Sequence, residues 1–473
     1  MEKGAIPERF LRLLALSEPL ARRFQAAGKQ LYLVGGSVRD AFAGGSRGVG
    51  PGGPDRVGDL DMTTDATPDE IEKIVSGGVE AIWLQGKQYG TVGCKVGDVV
   101  FEITTHRAEV YRSESRKPEV VFGDDIELDL SRRDFTVNAM ALRLPEMVLI
   151  DPFDGVADLC ARRLRTPLDP EISFEDDPLR MLRAARFLAR FDLEPDPGLV
   201  GAIGKLHGRL SIVSPERIRD ELDKIVVLAE ASKALWFVVE TGMASEFLPE
   251  LPALALEQDP IHRHKDVLAH TLAVVEKTSP ERVLRLAALF HDVGKPRTRS
   301  FGEGGVTFHF HDVVGARMTR RRMKALRYPN EDIEAVVRLV ELHLRFHTYK
   351  MGWTDKAVRR YVRDAGPLLE ALNELTRCDC TTRNAAKARA LAKRMDELET
   401  RIEELREREE IDSIRPDLDG VEVMELLGIP PGPLVGKALA YLLDVRIEEG
   451  PLSRDEAAER LAVWWGERSG ESR

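Results

Sequence analysis

The sequence predicts an α+β protein in which a small mixed sheet is confined to the N-terminal part and helices make up the rest. Three observations carry this. Runs rich in β-branched and aromatic residues, "LYLVGG", "DLDMTT" and "VGDVVFEITTHR", all fall between about residues 30 and 165. After about residue 166 strand signals largely vanish and amphipathic helical spacing takes over. A length of 473 residues is too great for one hydrophobic core, so three or four domains are expected.

The start, "MEKGAIPERFLRLLALSEPLARRF", carries Glu and Arg through its apolar positions and reads as an amphipathic helix, not a signal peptide. "LYLVGG" is a short strand ending in a turn, and "VRDAFAG" begins a helix that Gly44 stops. Residues 44–58, "GGSRGVGPGGPDRVG", form a Gly/Pro loop. After Asn384 a charged helix places Leu391, Met395, Leu398, Ile402 and Leu405 four and three apart, a packing stripe. The tail "GVEVMELLGIPPGPLVGKALAYLLDVRIEEG" predicts two helices broken at Pro430–Pro431.

Composition narrows the class. With 43% hydrophobic and 32% charged residues, and no run near the roughly 18 apolar residues of a membrane span, no membrane partner is expected. Cys94, Cys160, Cys378 and Cys380 include no C-x-x-C pair, which speaks against a disulfide framework or zinc knuckle and for a cytoplasmic protein. A net charge of −11 argues against non-specific coating of nucleic acid but leaves room for local basic grooves. "RRLR" (162–165) and "RMTRRRMKALR" (317–327) are such clusters; solvated helix faces are the simpler reading of both.

Chemistry enters at "GGSVRD" (35–40), where two glycines between strand and helix let backbone approach a phosphate. In "DLDMTT", Asp59 and Asp61 stand two apart on a strand and so share a face. Side-by-side carboxylates repel unless a cation lies between them, and a pair of Mg²⁺ ions is the natural solution; an exposed strand end with two solvated acids is the plainer one. "SRRDFTVNAM" (131–140) adds two arginines, whose planar forks suit triphosphate oxygens.

With these motifs in order, the sequence closely resembles the class II tRNA nucleotidyltransferases, the CCA-adding enzymes, and most nearly their actinobacterial type. The resemblance rests on "LVGGSVRD", "DLDMTT", "RRDFTVNAMAL", "DPFDGVADL" and "EDDPLRMLRAARF" and covers roughly residues 30–235. It implies a polymerase-β-like nucleotidyltransferase head, Mg²⁺ on Asp59 and Asp61, the incoming nucleotide on Gly36 and Arg39, and its phosphates on Arg133. Glu102, in "VVFEITTHR", is the candidate third carboxylate, although strand alternation could equally turn it to solvent. Residues 105–122 resemble the family's flexible loop, which CC-adding relatives lack. The insert at 44–58 departs from the family pattern.

"EDDPLRMLRAARF" reads as a helix that Asp176 or Asp177 caps and Pro178 opens, with Asp177 and Arg180 three apart on one face. A carboxylate accepts from the exocyclic amino group of cytosine or adenine, and a guanidinium donates to a ring acceptor of either. The resemblance implies that Asp177 and Arg180 read the base, with Arg183 and Arg186 nearby on the nucleotide.

Eight of the ten histidines fall between His262 and His347. His270, His291–Asp292, His311, His343 and Asp379 resemble the HD metal-dependent phosphohydrolase domain, which implies a second divalent metal there; His309 and His347 are bystanders. The expected domains are a head at 1–165, a helical neck at 166–255, an HD domain at 256–385 and a helical C-terminal tRNA-binding region at 386–473. The expected function is addition of CCA to tRNA from CTP and ATP, with no protein partner implied. The rivals are a poly(A) polymerase, a partial CC- or A-adding relative, an HD phosphohydrolase with a regulatory head, a protein-uridylylating sensor enzyme and a non-catalytic RNA-binding protein.

Overall fold

A seven-stranded sheet organises the first part of the chain. Helix α1 (Glu8–Ala26) leads into β1 (Leu31–Val34), then α2 (Gly36–Phe42), β2 (Leu60–Thr64), α3 (Pro68–Val75), β3 (Ala81–Trp83), β4 (Thr91–Val96) and β5 (Val99–Thr105). A separate two-stranded ribbon, β6 (Arg107–Val110) with β7 (Glu119–Phe122), precedes α4 (Ile126–Ser131), β8 (Ala141–Leu144) and β9 (Val148–Ile150). The sheet order is β3-β4-β5-β2-β1-β8-β9, and only the β2–β5 pair is parallel. This computed structural model describes residues 8–42, 59–110, 119–256, 266–302, 305–348, 353–380, 385–409, 411 and 414–470. The expected Gly/Pro loop at 44–58 and the middle of the expected flexible loop lie outside the described residues.

All four residues of β1 are buried, as a short apolar run with both faces covered should be. On one face Leu31 and Leu33 join Met62, Phe101 and Ile103 under Leu20 and Phe24 of α1 and Ile71 and Val75 of α3. On the other, Tyr32 and Val34 meet Leu130, Ala139 and Ala141. The two-residue period of β5 buries Phe101 and Ile103 and turns Glu102 to the opposite, exposed side. Helix α3 starts from a reciprocal cap between Thr67 and Glu70, with Pro68 in its first turn.

The chain continues through α5 (Gly155–Cys160), β10 (Arg163–Leu164), α6 (Pro170–Asp176), α7 (Leu179–Phe191), β11 (Glu194–Pro195), α8 (Pro197–Leu206), α9 (Pro215–Val226), α10 (Ala231–Glu240) and α11 (Ala244–Phe247). The helix expected after the Asp176–Asp177 cap is α7, and Glu175 and Asp176 end a separate preceding helix, α6. Asp177 is extended (φ −139°, ψ 98°) between α6 and α7 because the ring of Pro178 disfavours helical geometry in the residue before it.

The chain divides into two compact units, Met1–Phe247 and Leu248–Arg473. The second is helical: α12 (Val267–Lys277), α13 (Arg282–Phe290), α14 (Lys295–Thr298), α15 (His311–Ala325), α16 (Asn330–Leu342), α17 (Arg345–Thr348), α18 (Asp355–Ala365), α19 (Leu369–Asp379), α20 (Ala385–Arg408), α21 (Gly420–Leu427), α22 (Pro433–Glu449) and α23 (Arg454–Gly470). A hairpin of β12 (Arg299–Gly302) and β13 (Gly305–Phe308), which the sequence did not signal, interrupts it. Met395, Leu398, Ile402 and Leu405 of α20 are buried, so the apolar stripe packs. The break before α22 follows Gly428, whose left-handed backbone (φ 62°) ends α21. Among the described residues no helix is long and apolar enough to cross a membrane.

Candidate functional site

Strand register assembles the first constellation. Asp61 of β2 lies directly opposite Glu102 of the parallel strand β5, and Asp59 stands two residues before Asp61. All three side chains reach the exposed face of the sheet, which settles the orientation of Glu102 that alternation alone left open. Desolvation by the surrounding walls raises the pKa of Asp61; Arg133 opposes this and Asp59 adds to it. Glu102 is raised by desolvation, then by the charges of Asp61 and Asp59. Carboxylates crowded so that Asp61 and Glu102 are both pushed up are the arrangement a divalent cation relieves.

Asp61 and Glu102 open onto a pocket of about 250 Å³, which Asp129, Arg132 and Arg133 also line. Arg133 Nη2 lies 3.3 Å from Asp129, while its buried Nε has no hydrogen-bond partner among the described residues, so its fork is incompletely used. Gly35, in the β1–α2 turn beside Arg133 and Asp61, has a left-handed φ of 71°. A Cβ there would stand 3.2 Å from Arg133 Nη1 and 3.8 Å from Asp61 Oδ2. At Gly36 a Cβ would meet only the flexible end of Arg39, at 3.4 Å. The turn's steric requirement therefore falls on Gly35, which the "GG" dipeptide could not assign. Arg39 is 5% exposed and already spent: Nε donates to Asp40 (2.8 Å), Nη1 to Asn138 (2.5 Å), and the guanidinium lies 4.1 Å from the Phe191 ring centre. It braces α2 against α7 and does not line the carboxylate pocket.

The tripeptide Arg132–Arg133–Asp134 ties this pocket to α7. Buried Asp134 accepts from the Phe135 amide (2.9 Å), from Asn138 Nδ2 (2.8 Å) and from Arg183, through Nε (2.9 Å) and Nη2. Burial alone would raise its pKa; the Arg183 charge and these donors overcome that and lower it. Arg180 donates to the Arg132 carbonyl (2.5 Å) and to Ser173 Oγ (2.8 Å). Arg186 donates to buried Glu221 (2.7 Å). Asp177 does not pair with Arg180: Oδ1 accepts from the Leu179 amide (3.2 Å) and Oδ2 from Arg217 (2.9 Å), a contact the sequence gave no sign of. Of the four residues expected on the nucleotide in this stretch, Arg183 and Arg186 are thus engaged in fixing α7, Arg180 reaches the Arg132 carbonyl, and Asp177 lies just before the helix.

In the second unit, the expected six residues converge. The ligand atoms of His270, His291 and Asp292 lie within 4.8 Å of one another, as do those of Asp292, His311 and His343. Asp379 joins them, 2.9 Å from His270 Nε2. Three rings are aimed by backbone carbonyls: Nδ1 of His291 contacts Ala288 (2.7 Å), His311 Phe308 (2.8 Å) and His343 Val340 (2.6 Å). A proton on each Nδ1 leaves Nε2 as a lone pair, yet Nε2 of His291 and His270 are 3.3 Å apart, and so are those of His343 and His311. Facing lone pairs need a proton or a metal between them. Burial opposes charge on His291, but Asp292 and Asp379 hold its pKa up to about 10. His343 is pushed down to about 4 by burial and then by the charge of His291. The Lys295 ammonium, 2.6 Å from Asp292 Oδ2, adds a second positive charge. The donor set therefore fits one or two divalent cations, and Asp292 is common to both groups of ligand atoms. His309 and His347 stand outside both groups.

The Asp134–Arg183 pair sets a pH dependence. Because the folded pKa of Asp134 lies below the ordinary value near 4, its stabilisation is complete above about pH 5 and is lost as pH falls through the folded pKa. Asp134→Asn should destabilise the first unit by about 3 kcal/mol at pH 7, and the gap to the parent should narrow below about pH 4. Urea unfolding from pH 7 to 3 checks this; a gap independent of pH would contradict it.

Comparison with known proteins places this geometry. Residues 31–165 match the Poly A polymerase head domain, residues 192–254 the probable RNA and SrmB- binding site of polymerase A, and residues 267–405 the HD domain. The chain is 33% identical over 389 residues to the A-adding tRNA nucleotidyltransferase of Deinococcus radiodurans, covering 79% of this chain and 87% of that protein. It is 34% identical over 363 residues to the CC-adding tRNA nucleotidyltransferase of Thermus thermophilus (73% and 79% covered), and 39% identical over 234 residues to the CCA-adding enzyme of Bacillus licheniformis (49% and 55% covered). The crystal structure of the Bacillus stearothermophilus CCA-adding enzyme in complex with CTP shares the fold, with a TM-score of 0.69 at 22% identity over 98% of this chain and 99% of that one. With one third of residues identical across most of both chains, and the same head joined to an HD domain, this chain belongs to the tRNA nucleotidyltransferase family.

Proposed function

We propose that the chain adds C, C and A in turn to the 3′ end of tRNA, drawing on CTP and ATP in the cytoplasm. The observation that carries the chemistry is the carboxylate triad, Asp59, Asp61 and Glu102, set beside the incompletely paired fork of Arg133. The triad would hold Mg²⁺, which supplies charge neutralisation where the 3′-hydroxyl attacks and pyrophosphate leaves. The new bond joins the terminal 3′-oxygen to the α-phosphorus, and the bond to the β,γ-phosphates breaks. Arg133 and the backbone at Gly35–Gly36 bind the triphosphate; Arg183 and Arg186 act by locating α7. The head at 1–165 performs the chemistry, the neck at 166–255 reads the nucleotide, and the C-terminal region at 386–473 helps hold tRNA.

Base choice is assigned to Asp177 and Arg180. Arg217 gives Asp177 a donor, and Ser173 with the Arg132 carbonyl gives Arg180 acceptors. These protein partners have the same polarity as the edge of C or A, an amino donor beside a ring acceptor. Such a base can replace them without loss of hydrogen bonds, whereas guanine or uracil would leave groups unpaired at about 1–3 kcal/mol each.

Relatives whose names specify A, CC or CCA addition make the number of nucleotides the point to test. Purified protein is given tRNA ending at the discriminator base, at C or at CC, with each NTP singly and together. Completion of CCA on all three, and rejection of GTP and UTP, is expected; addition restricted to one acceptor would reduce the activity to a partial one, and a long A tail would make it a poly(A) polymerase. Asp61→Ala should abolish addition with tRNA binding retained. Asp177→Ala should lower the preference for CTP and ATP by roughly tenfold or more; unchanged selectivity would leave Asp177 as a turn residue.

The convergence of four histidines with Asp292 and Asp379 favours a second activity, metal-dependent hydrolysis of a phosphate monoester or 2′,3′-cyclic phosphate. Bound metal would supply Lewis acidity, and Lys295 a positive charge toward the phosphate. His291→Ala should remove that hydrolysis while leaving CCA addition intact; hydrolysis that persists would place its source elsewhere.

A further inference from the structure

Helix α15 carries a face that neither proposed activity uses. His311, Gly315, Met318, Thr319 and Met323 turn into the fold. On the other side Val313, Arg317, Arg321 and Lys324 are exposed and spaced four, four and three apart, which sets them in one row along the helix. Two more arginines of the helix are neutralised, Arg320 by Glu334 and Arg322 by Glu250. The side chains of Arg317, Arg321 and Lys324 make no hydrogen bond or ion pair with any described residue. Glu334 feels the charge of Lys324, but its carboxylate is taken by Arg320.

At the N-terminal end of this row stands Phe310, 75% exposed, with a left-handed backbone (φ 61°). The turn at Phe310 brings His311 Nδ1 onto the Phe308 carbonyl, and glycine would make such a turn with less strain. An aromatic ring that strains the backbone and gains no burial has its use outside the fold.

The chain as a whole carries −11, so attraction for a polyanion must come from local rows of this kind. Cations that follow a backbone, with an aromatic face for a base, are the composition of single-strand recognition. We propose that the face of α15 from Phe310 to Lys324 binds an unpaired segment of RNA, with phosphates on Arg317, Arg321 and Lys324 and a base stacked on Phe310. This inference rests neither on the head chemistry nor on metal in the histidine centre.

The test uses the full chain and a labelled oligouridylate ending in a 3′-deoxynucleotide, which has no hydroxyl for the head to extend and no terminal phosphate for the histidine centre to remove. Affinity is measured from about 50 to 200 mM salt. A triple variant, Arg317→Ala with Arg321→Ala and Lys324→Ala, should flatten the slope of log K against log salt by about 2, since each single-strand phosphate contact contributes about 0.7. Phe310→Gly should raise the melting temperature and still weaken binding by about fivefold or more. Substrate tRNA is titrated in parallel: loss of both ligands identifies tRNA as the source of the segment, and loss of the oligomer alone identifies another RNA. An unchanged slope and affinity in the folded triple variant would overturn the proposal. So would polyglutamate binding as tightly as the oligomer and insensitive to Phe310→Gly, which would point to an acidic protein segment.

Discussion

The first unit depends on one ion pair, that of buried Asp134 with half-buried Arg183. A carboxylate taken out of water is costly unless its lone pairs are filled, and here the Phe135 amide, Asn138 and a two-nitrogen approach by Arg183 fill them. Asn138 in turn accepts from Arg39, so the chain of contacts runs from α2 through the RRD segment into α7. Moving α7 would strand Asp134 as an unpaired buried charge. The helix is therefore held to the same three residues that present Arg132 and Arg133 to the carboxylate pocket.

This constraint explains why α7 carries Arg180, Arg183, Arg186 and Arg190. An all-purpose solvated face would leave its arginines exposed and interchangeable. Instead Arg180 reaches Ser173 and the Arg132 carbonyl, Arg183 reaches Asp134, Arg186 reaches Glu221, and Arg190 lies over Phe191. Guanidinium forks can satisfy several acceptors from fixed directions, which an ammonium cannot do in the same way. The result is a helix anchored along its length, with Asp177 just before its first turn held by Arg217 and Arg180 held by Ser173 and the Arg132 carbonyl.

The histidine centre obeys a related logic with helix ends in place of a helix face. His291 and His343 cap the C-termini of α13 and α16, His311 opens α15, and Asp379 closes α19. Ends expose backbone carbonyls without intrahelical donors, and two of the three aimed rings use carbonyls in the last turn of the helix they follow. Helix termini thus fix both the position and the tautomer of the rings, and the lone pairs they direct inward create the demand for positive charge.

The sequence by itself determined the α+β organisation, the Asp59–Asp61 pair and the six-residue HD set, because each is written in a short period or a recognisable motif. Strand alternation over two residues suffices to put two aspartates on one face. It could not orient Glu102, since that depends on the parallel register between β2 and β5, a pairing of segments some forty residues apart. Nor could it separate Gly35 from Gly36, or show that Arg39, Arg183 and Arg186 are spent on Asn138, Asp134 and Glu221, because those partners come from other elements. The stretch "EDDPLR" announced a helix capped near Asp177, but not that Glu175 and Asp176 end a preceding helix or that Asp177, kept extended by the Pro178 ring, comes within reach of Arg217. Local chemistry is written along the chain, whereas the partners that spend it are decided only when distant segments pack.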